Sequence, residues 1–301
     1  MWILCLSMMF VVAIAVFTIV KKGFPGRTNE IYSKSLILEN AHNPVDPAAL
    51  QNCKDCPDIP NCNQIVSLAQ PTIALVGDSH AQHLFVGLKD HYKSTKENLA
   101  QFEACSPLNT NLIEGGQVFS CSAITDSVFR YIAKTKTIHT VILSWYGQMM
   151  FSGGRYKQKV YRDLRFKDDP SNQDQRVVYV KALRQTIDYL LKSRKKVILV
   201  MDNPDLGFNP LNDLRPFSFF HTPDSIKGRM AFSEYQEYSQ PYTTSVKKML
   251  KDFPQVSIFE PSKILCSSGY CYGIKEGKLL YFDPDHLTRE GSMLLGKSFP
   301  F

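Results

Sequence analysis

The sequence predicts an α/β fold of three layers (α/β/α), in which helices cover both faces of a central parallel sheet. After residue 71, short continuous apolar runs alternate with longer stretches of helical character. Continuous apolar strands are typical of parallel sheets that are buried on both faces. The predicted strands are 72–76, 99–102, 140–144, 197–201 and 256–259, and the predicted helices are 81–91, 122–133, 175–192 and 233–251.

Composition and charge indicate a globular domain without a nucleic-acid partner. The chain has 301 residues, of which 44% are hydrophobic, so it can bury a sizeable core. The net charge is +7, and the densest basic run is 192–196, at the end of a predicted helix. Cations are favourable there because they face the negative end of the helix dipole. A nucleic-acid patch is the alternative, but no aromatic platform or binding motif accompanies the run.

The first 70 residues predict a membrane anchor and a linker. Residues 2–20 carry no charge and are just long enough to cross a bilayer as a helix. A signal peptide would place its positive charge before the apolar run, whereas here Lys21 and Lys22 follow it. We expect a transmembrane anchor at 1–22, a linker and cysteine-containing cap rich in proline at 23–70, and the main domain at 71–301.

Two signals disagree about the side of the membrane. The Lys21-Lys22 pair, by the positive-inside tendency, places the following residues in the cytoplasm. The closely spaced cysteines argue for an oxidising compartment, where disulfides persist, although free buried thiols are the alternative. The candidate pairs are Cys105 with Cys121 and Cys266 with Cys271. We follow the cysteines and expect an extracytoplasmic domain on a single-pass anchor.

Cys53, Cys56 and Cys62 form a separate cluster. A structural zinc site needs four ligands, often as two paired knuckles, and no second knuckle follows. A disulfide that leaves one cysteine for another partner is therefore the expectation, and no metal ion is expected.

Gly77-Asp78-Ser79-His80 follows the first predicted strand of the main domain. Sites in parallel sheets lie at the carboxyl ends of the strands. A serine that enters a helix there has its N–H at the positive end of the helix dipole, where developing negative charge is stabilised. We identify Ser79 as a candidate nucleophile, and the alternative is a helix cap.

Asp283 and His286 supply the other groups that a serine nucleophile needs. A histidine three residues after an aspartate can receive the carboxylate on one ring nitrogen and present the other to a serine. Asp285 is the rival for the orienting role, and a turn in which both aspartates cap the next helix is the structural alternative. A metal site formed by Asp283, Asp285 and His286 is not favoured, since no further ligand is evident.

Together these segments resemble the SGNH hydrolase superfamily, and more narrowly the SGNH domain fused to the C-terminus of acyltransferase-3 membrane proteins, which O-acetylate surface polysaccharides. Supporting segments are 103–108, 142–145 and the cysteines shortly before the histidine motif. The resemblance implies a flavodoxin-like fold and acyl transfer through an acyl-serine without a cofactor. Ser79 would be the nucleophile and its N–H an oxyanion donor, with His286 as general base and Asp283 as its orienting acid.

The sequence departs from the superfamily pattern in its oxyanion donors. The superfamily supplies a Gly and an Asn from later blocks, but no Gly-x-Asn follows the strand at 140–144. Gln148 and Asn203 are the amide-bearing candidates at strand ends. His80 and His83 flank the nucleophile without an assigned role, and helix packing is the expectation for both.

The sequence also contains one apolar segment where the fused family has about ten membrane helices. We expect a truncated or split form of a longer fusion, or a stand-alone anchored enzyme. The expected partners are a polysaccharide acceptor and a multi-helix membrane acyltransferase that supplies the acyl group. The alternatives are a carbohydrate esterase that uses water as acceptor, and a glycan-binding module without catalysis.

Overall fold

The computed structural model describes residues 2–20, 51–52, 62–64, 69–104, 112–114, 117–118, 122–157, 164–166, 174–213 and 228–300. Its strands are β1 (Gln51–Asn52), β2 (Cys62–Gln64), β3 (Ile73–Gly77), β4 (Leu99–Glu103), β5 (Leu112–Glu114), β6 (Gln117–Val118), β7 (Thr140–Leu143), β8 (Leu164–Phe166), β9 (Lys196–Val200), β10 (Arg229–Ala231), β11 (Ser257–Phe259), β12 (Cys266–Ser267), β13 (Tyr270–Tyr272), β14 (Ile274–Lys275) and β15 (Lys278–Leu279). Its helices are α1 (Trp2–Val20), α2 (Ser79–Tyr92), α3 (Ser122–Lys134), α4 (Gly147–Ser152), α5 (Gln175–Lys192), α6 (Pro210–Asp213), α7 (Phe232–Leu250), α8 (Ser262–Leu265) and α9 (Arg289–Lys297).

A seven-stranded sheet forms the centre of the fold, in the order β1-β2-β4-β3-β7-β9-β11. The strands from β4 to β11 pair in parallel, which confirms the predicted α/β class. Numbered along the chain, these strands have the 2-1-3-4-5 order of flavodoxin. At one edge β2 pairs antiparallel with β4, and β1 pairs antiparallel with β2. Both edge strands lie in the range 23–70, where the sequence predicts only linker and cap.

Alternate strand residues contribute to two hydrophobic clusters. Leu75 and Ile142 belong to the cluster that contains apolar side chains of α2 and α9. Val76 and Leu143 belong to the cluster that contains side chains of α3, α5 and α7. Side chains of neighbouring strand residues point to opposite faces, so each buried strand contributes to both clusters. This accounts for the continuous apolar runs in the sequence.

Helices α2 and α9 pack closely, through small residues at their contact. The Gly87 N–H donates to Ser292 Oγ at 2.8 Å. A Cβ atom at Gly87 would lie 1.9 Å from the Ser292 carbonyl oxygen, and one at Gly296 would lie 2.2 Å from the Gly87 carbonyl oxygen. Because α2 begins at Ser79 and α9 follows His286, this packing sets the relative position of the two segments that carry the candidate site.

The N-terminal apolar run forms α1, which confirms its predicted helical structure. Side chains of α1 are described only at residues 7, 8 and 10–20. Within the part of the chain that the structure describes, no helix is long and apolar enough to cross a membrane. The described residues therefore do not support the expected transmembrane anchor at 1–22.

Candidate active site

At the turn after β3, Asp78 rather than Ser79 caps the helix. Asp78 is the N-cap of α2, and its Oδ1 accepts the His80 N–H at 2.8 Å. Ser79 is the first helical residue, two positions before the predicted start, and its side chain is exposed. Only glycine fits before this cap, because a Cβ atom at Gly77 would lie 1.6 Å from the Ser144 carbonyl oxygen. The helix-cap alternative thus applies to Asp78, and the Ser79 hydroxyl is left for other contacts.

The structure brings Ser79, His286 and Asp283 into one chain of hydrogen bonds. His286 Nε2 lies 2.7 Å from Ser79 Oγ, and His286 Nδ1 lies 2.7 Å from Asp283 Oδ2. With Nδ1–H donating to the carboxylate, Nε2 accepts from the serine hydroxyl. Asp283 Oδ1 also accepts the backbone N–H groups of Asp285 and His286, at 2.9 and 2.6 Å. The arrangement has the geometry of a serine nucleophile, a general base and an orienting acid.

The loop that carries His286 is held by contacts from several elements. The Pro284 carbonyl accepts the Leu206 N–H at 2.9 Å, and the His286 carbonyl accepts the Phe282 N–H at 3.1 Å. Asn203 Nδ2 donates to the Asp285 carbonyl at 2.8 Å. These bonds satisfy backbone groups of a short irregular segment, so they restrict where the His286 ring can lie.

Asp285, the rival candidate for the orienting acid, is buried beside Ser79, His286 and Asp283. Its Oδ2 lies 3.6 Å from His286 Nδ1 and 3.5 Å from His80 Nε2, and its Oδ1 lies 3.5 Å from Arg155 Nη1. Burial would raise the pKa of Asp285, but the charges of His80, His286 and Arg155 lower it below its usual value. Asp283 is the nearer of the two carboxylates to His286 Nδ1.

His80 and His83, which follow Ser79 on α2, are both buried but differ in charge. Burial alone would lower the pKa of His80, but the carboxylates of Asp285, Asp78 and Asp202 raise it to about 9. Burial, together with the nearby His80 and His286, lowers the pKa of His83 well below its usual value. His83 Nδ1 instead accepts the Leu287 N–H at 3.4 Å. His80 is therefore a cation at neutral pH, and His83 is neutral.

The amide groups of the oxyanion candidates have partners away from Ser79. Besides its bond to Asp285, Asn203 Nδ2 lies 3.4 Å from Tyr281 Oη. Gln148 Nε2 lies 3.5 Å from the Tyr238 carbonyl oxygen, and Gln148 Oε1 is buried without a partner among the described residues. The Ser79 N–H lies in the first turn of α2, where backbone N–H groups have no partner inside the helix. The oxyanion role of all three residues stays a prediction.

Carboxylates hold the turn that joins β7 to α4. The Tyr146 N–H donates to Asp78 Oδ2 at 3.0 Å, and the Tyr146 hydroxyl donates to Asp205. The two Asp202 oxygens accept the N–H groups of Gly147 and Gln148, at 3.0 and 2.6 Å. Burial raises the pKa of Asp202 to about 7, although the hydrogen bonds from Gly147 and Gln148 lower it. Sequence reasoning missed Asp202 and Asp205, although both follow β9 at the edge where sites are expected.

His80, Asp285 and His286 hold donor atoms within 4.8 Å of one another, close enough for one metal ion. A metal ligand imidazole must be unprotonated at the ligating nitrogen. The raised pKa keeps His80 protonated at neutral pH, and Asp285 Oδ2 lies 3.5 Å from His80 Nε2. An ion pair accounts for these residues better than a metal site.

Cys266 and Cys271 form the predicted disulfide, across the antiparallel pair β12–β13. Cys53, Cys56, Cys105 and Cys121 lie outside the described residues, as does the side chain of Cys62. Their pairing stays a prediction.

The flavodoxin-type sheet, with the Gly-Asp-Ser turn after β3 and a late Asp-x-x-His, defines a protein of the SGNH hydrolase class. Residues 46–300 match the family described as the SGNH domain fused to AT3 domains, and the chain belongs to this family.

The fold is similar to that of the periplasmic domain of a lipopolysaccharide acetyltransferase from Salmonella ser. Paratyphi A. The TM-score is 0.55 and the identity 17%, over 89% of this chain and 95% of that chain. A GDSL-like lipase from Bacteroides thetaiotaomicron gives a TM-score of 0.38 at 12% identity, over 77% and 89% of the two chains. A psychrotrophic esterase from Pseudoalteromonas sp. gives a TM-score of 0.37 at 12% identity, over 76% of this chain and 93% of that chain. No curated protein sequence matches the chain. At these identities the likeness establishes the fold alone.

Proposed function

We propose that the chain transfers an acyl group, most simply acetyl, through Ser79 to a hydroxyl of a cell-surface polysaccharide. It would act as the SGNH part of an acyltransferase-3 type O-acetylation system. The observation that carries this proposal is the hydrogen-bonded chain of Ser79, His286 and Asp283 in a domain of this family. The membrane protein to which such domains are fused is the expected source of the acyl group.

The first half-reaction forms the acyl-serine. Ser79 Oγ attacks the acyl carbonyl carbon of the donor while His286 Nε2 takes the hydroxyl proton. Asp283 keeps the imidazole in the required tautomer and stabilises the imidazolium. The Ser79 N–H and the positive end of α2 stabilise the oxyanion. His286 then returns its proton to the leaving group as the C–O or C–S bond of the donor breaks.

The second half-reaction repeats these steps with a sugar hydroxyl. His286 Nε2 accepts the proton of the hydroxyl, and the sugar oxygen attacks the acyl carbon. Collapse of the intermediate breaks the bond to Ser79 Oγ, which regains its proton from His286. The products are the O-acylated sugar and free enzyme, so no oxidant, metal or cofactor enters the balance.

A single-pass anchor at residues 2–20 and an extracytoplasmic position belong to the same proposal. The Cys266–Cys271 disulfide supports an oxidising compartment, where such bonds persist. The anchor is proposed from the uncharged sequence of residues 2–20 alone, and the described structure adds no support to it.

Co-expression with a multi-helix acyltransferase of the AT3 type tests the proposal. We expect acetylation of the surface polysaccharide, measured by mass spectrometry, with the wild-type chain and its loss with Ser79→Ala. Acetylation that persists with Ser79→Ala would contradict transfer through Ser79.

A stand-alone carbohydrate esterase is the second candidate, because the exposed Ser79 is open to water. The full chain in detergent would then release acetate from acetylated sugars without a partner protein, and His286→Ala would abolish the release. A glycan-binding module without catalysis is the third candidate. It predicts saturable glycan binding and a Ser79 that does not react with a fluorophosphonate.

A further inference from the structure

His80 and Asp285, which adjoin Ser79 and His286 in the sequence, form a buried ion pair. His80 Nε2 lies 3.5 Å from Asp285 Oδ2, and the two side chains are 2% and 1% exposed. The same Asp285 oxygen lies 3.6 Å from His286 Nδ1. One carboxylate oxygen is thus shared between the histidine beside the nucleophile and the histidine that would act as base.

Stability alone does not explain this pair. Two buried charges lose their hydration, so a buried ion pair adds little folding stability compared with apolar side chains of similar volume. The His80 ring is also surrounded by other aromatic rings: it stacks on Tyr146 at 4.7 Å between centroids and lies 5.0 Å from His83. An apolar side chain at residue 80 would suit such packing, whereas a charged imidazole needs its own counter-ion.

Each member of the pair is fixed by separate contacts. The backbone N–H of His80 donates to Asp78 at the cap of α2. On the other side, the N–H of Asp285 donates to Asp283, and its carbonyl accepts from Asn203. An ion pair between two anchored residues restrains the distance between the segments that carry them.

We propose that His80 and Asp285 are positioning residues, whose ion pair holds the turn of Ser79 against the loop of His286 and keeps Ser79 Oγ in hydrogen-bond contact with His286 Nε2. This inference rests on the serine chemistry of the proposed function. Neither residue touches the reacting atoms in this role.

Charged groups from every neighbouring element determine when the pair is intact. His80 is faced by Asp78 from its own turn, by Asp202 after β9 and by Asp285 from the histidine loop. The rings of His83 and His286 lie beside it, at 5.0 and 5.3 Å between centroids. Arg155 is the second cation beside Asp285. Because the carboxylates raise the pKa of His80 to about 9, the pair persists at neutral pH and is lost above that value. The reactivity of Ser79 should therefore decline above about pH 9.

The rate of Ser79 labelling by a fluorophosphonate, measured on the full chain in detergent between pH 6 and 10.5, tests the inference. His80→Gln and Asp285→Asn each remove one charge of the pair. We expect each to slow labelling about 10²-fold at pH 7.5, as for a small misplacement of reacting groups. Both should also lose the decline above pH 9. The double variant should react no more slowly than the slower single variant, because one interaction is removed in all three.

Two further variants separate positioning from general loss of structure. His83→Gln replaces a buried, neutral histidine on the same helix, and we expect it to keep the wild-type decline above pH 9. His80→Lys retains a cation of higher pKa, so it should react faster than His80→Gln and decline at a higher pH. A cooperative thermal unfolding transition confirms that each variant is folded.

The outcomes distinguish this inference from the function on which it rests. If wild-type Ser79 is not labelled at any pH, that result contradicts both the proposed function and this inference. A wild type that reacts while His80→Gln and Asp285→Asn react equally fast overturns the inference alone. An alkaline decline that survives in His80→Gln, or a loss in His83→Gln as large as in the pair variants, also overturns it.

Discussion

Replacing Asp283 by Asn tests which carboxylate orients His286. Asp283 Oδ2 accepts from His286 Nδ1 at 2.7 Å, while Asp283 Oδ1 accepts the N–H groups of Asp285 and His286. An Asn whose oxygen keeps the two backbone bonds turns its NH₂ group toward Nδ1. The imidazole must then carry its proton on Nε2, where it donates to Ser79 Oγ and cannot accept the hydroxyl proton.

The size of the effect follows from that change of tautomer. The corresponding substitution in chymotrypsin-like proteases leaves the geometry intact and lowers kcat about 10⁴-fold. At about 1.4 kcal/mol for each factor of ten, this is about 5.5 kcal/mol of transition-state stabilisation. We expect a loss of about 10³- to 10⁴-fold in Ser79 reactivity for Asp283→Asn. Asp285→Asn should lose less, about 10²-fold, since Asp285 lies 3.6 Å from Nδ1.

Fluorophosphonate labelling and aryl-acetate hydrolysis by the full chain measure both variants. The thermal unfolding midpoint of Asp283→Asn should stay near that of the wild type, because the Asn oxygen preserves the two backbone bonds. The reasoning is refuted if Asp283→Asn reacts within tenfold of the wild type while Asp285→Asn is nearly inactive. Asp285 would then be the orienting acid.

Three further predictions concern stability. Gly87→Ala should lower the free energy of unfolding by about 2 kcal/mol in urea titrations: a Cβ 1.9 Å from the Ser292 carbonyl oxygen overpacks the helix contact by about 3 kcal/mol, and helix propensity offsets about 1. An unchanged midpoint would contradict the close approach. Replacing Cys266 and Cys271 by serine should cost about 2 kcal/mol, as for a disulfide that closes so short a loop; calorimetry with and without reductant checks this. Because the folded pKa of His80 is raised from 6.5 to about 9, its contribution to stability is complete below pH 6.5 and lost as the pH rises through 9. The urea midpoint of the wild type should therefore fall further between pH 6 and 9.5 than that of His80→Gln, in which the raised pKa of Asp202, about 7, still gives a smaller fall. An equal fall in the two proteins would count against the ion pair.

The sequence was sufficient for the strands and helices that bury their own apolar pattern. The runs 140–144 and 197–201 contain enough consecutive apolar residues to predict β7 and β9 within one residue at each end. β1 and β2 are only two and three residues long and lie in a proline-rich range. Strands so short carry no periodicity, and the pairing of β1 with β2 and of β2 with β4 depends on the tertiary fold.

The candidate site was predictable where a short motif carries the chemistry. Residue type and spacing pointed to Ser79, His286 and Asp283, with Asp285 as a rival, and the structure places the first three within hydrogen-bond distance of one another. Their catalytic roles stay a prediction. His80 was expected only to pack, because its charge depends on Asp285, a residue 205 positions away in the chain. The partner of the Asn203 amide likewise depends on how the histidine loop returns to β9, which no local pattern reveals.

The turn after β7 bears on the choice between transfer and hydrolysis. Its N–H groups at Tyr146, Gly147 and Gln148 donate to carboxylates, so they are not free to donate to the oxyanion of the proposed reaction. Removing one oxyanion donor costs about 10² to 10³ in rate. In the proposed mechanism both half-reactions pass through an oxyanion on the acyl carbon bound to Ser79, so this loss would slow attack by water and by sugar alike. A sugar hydroxyl held beside the acyl group can gain an effective molarity of about 10⁵ to 10⁸ M, which bulk water does not. The acceptor's binding, rather than the triad, would then decide which product forms.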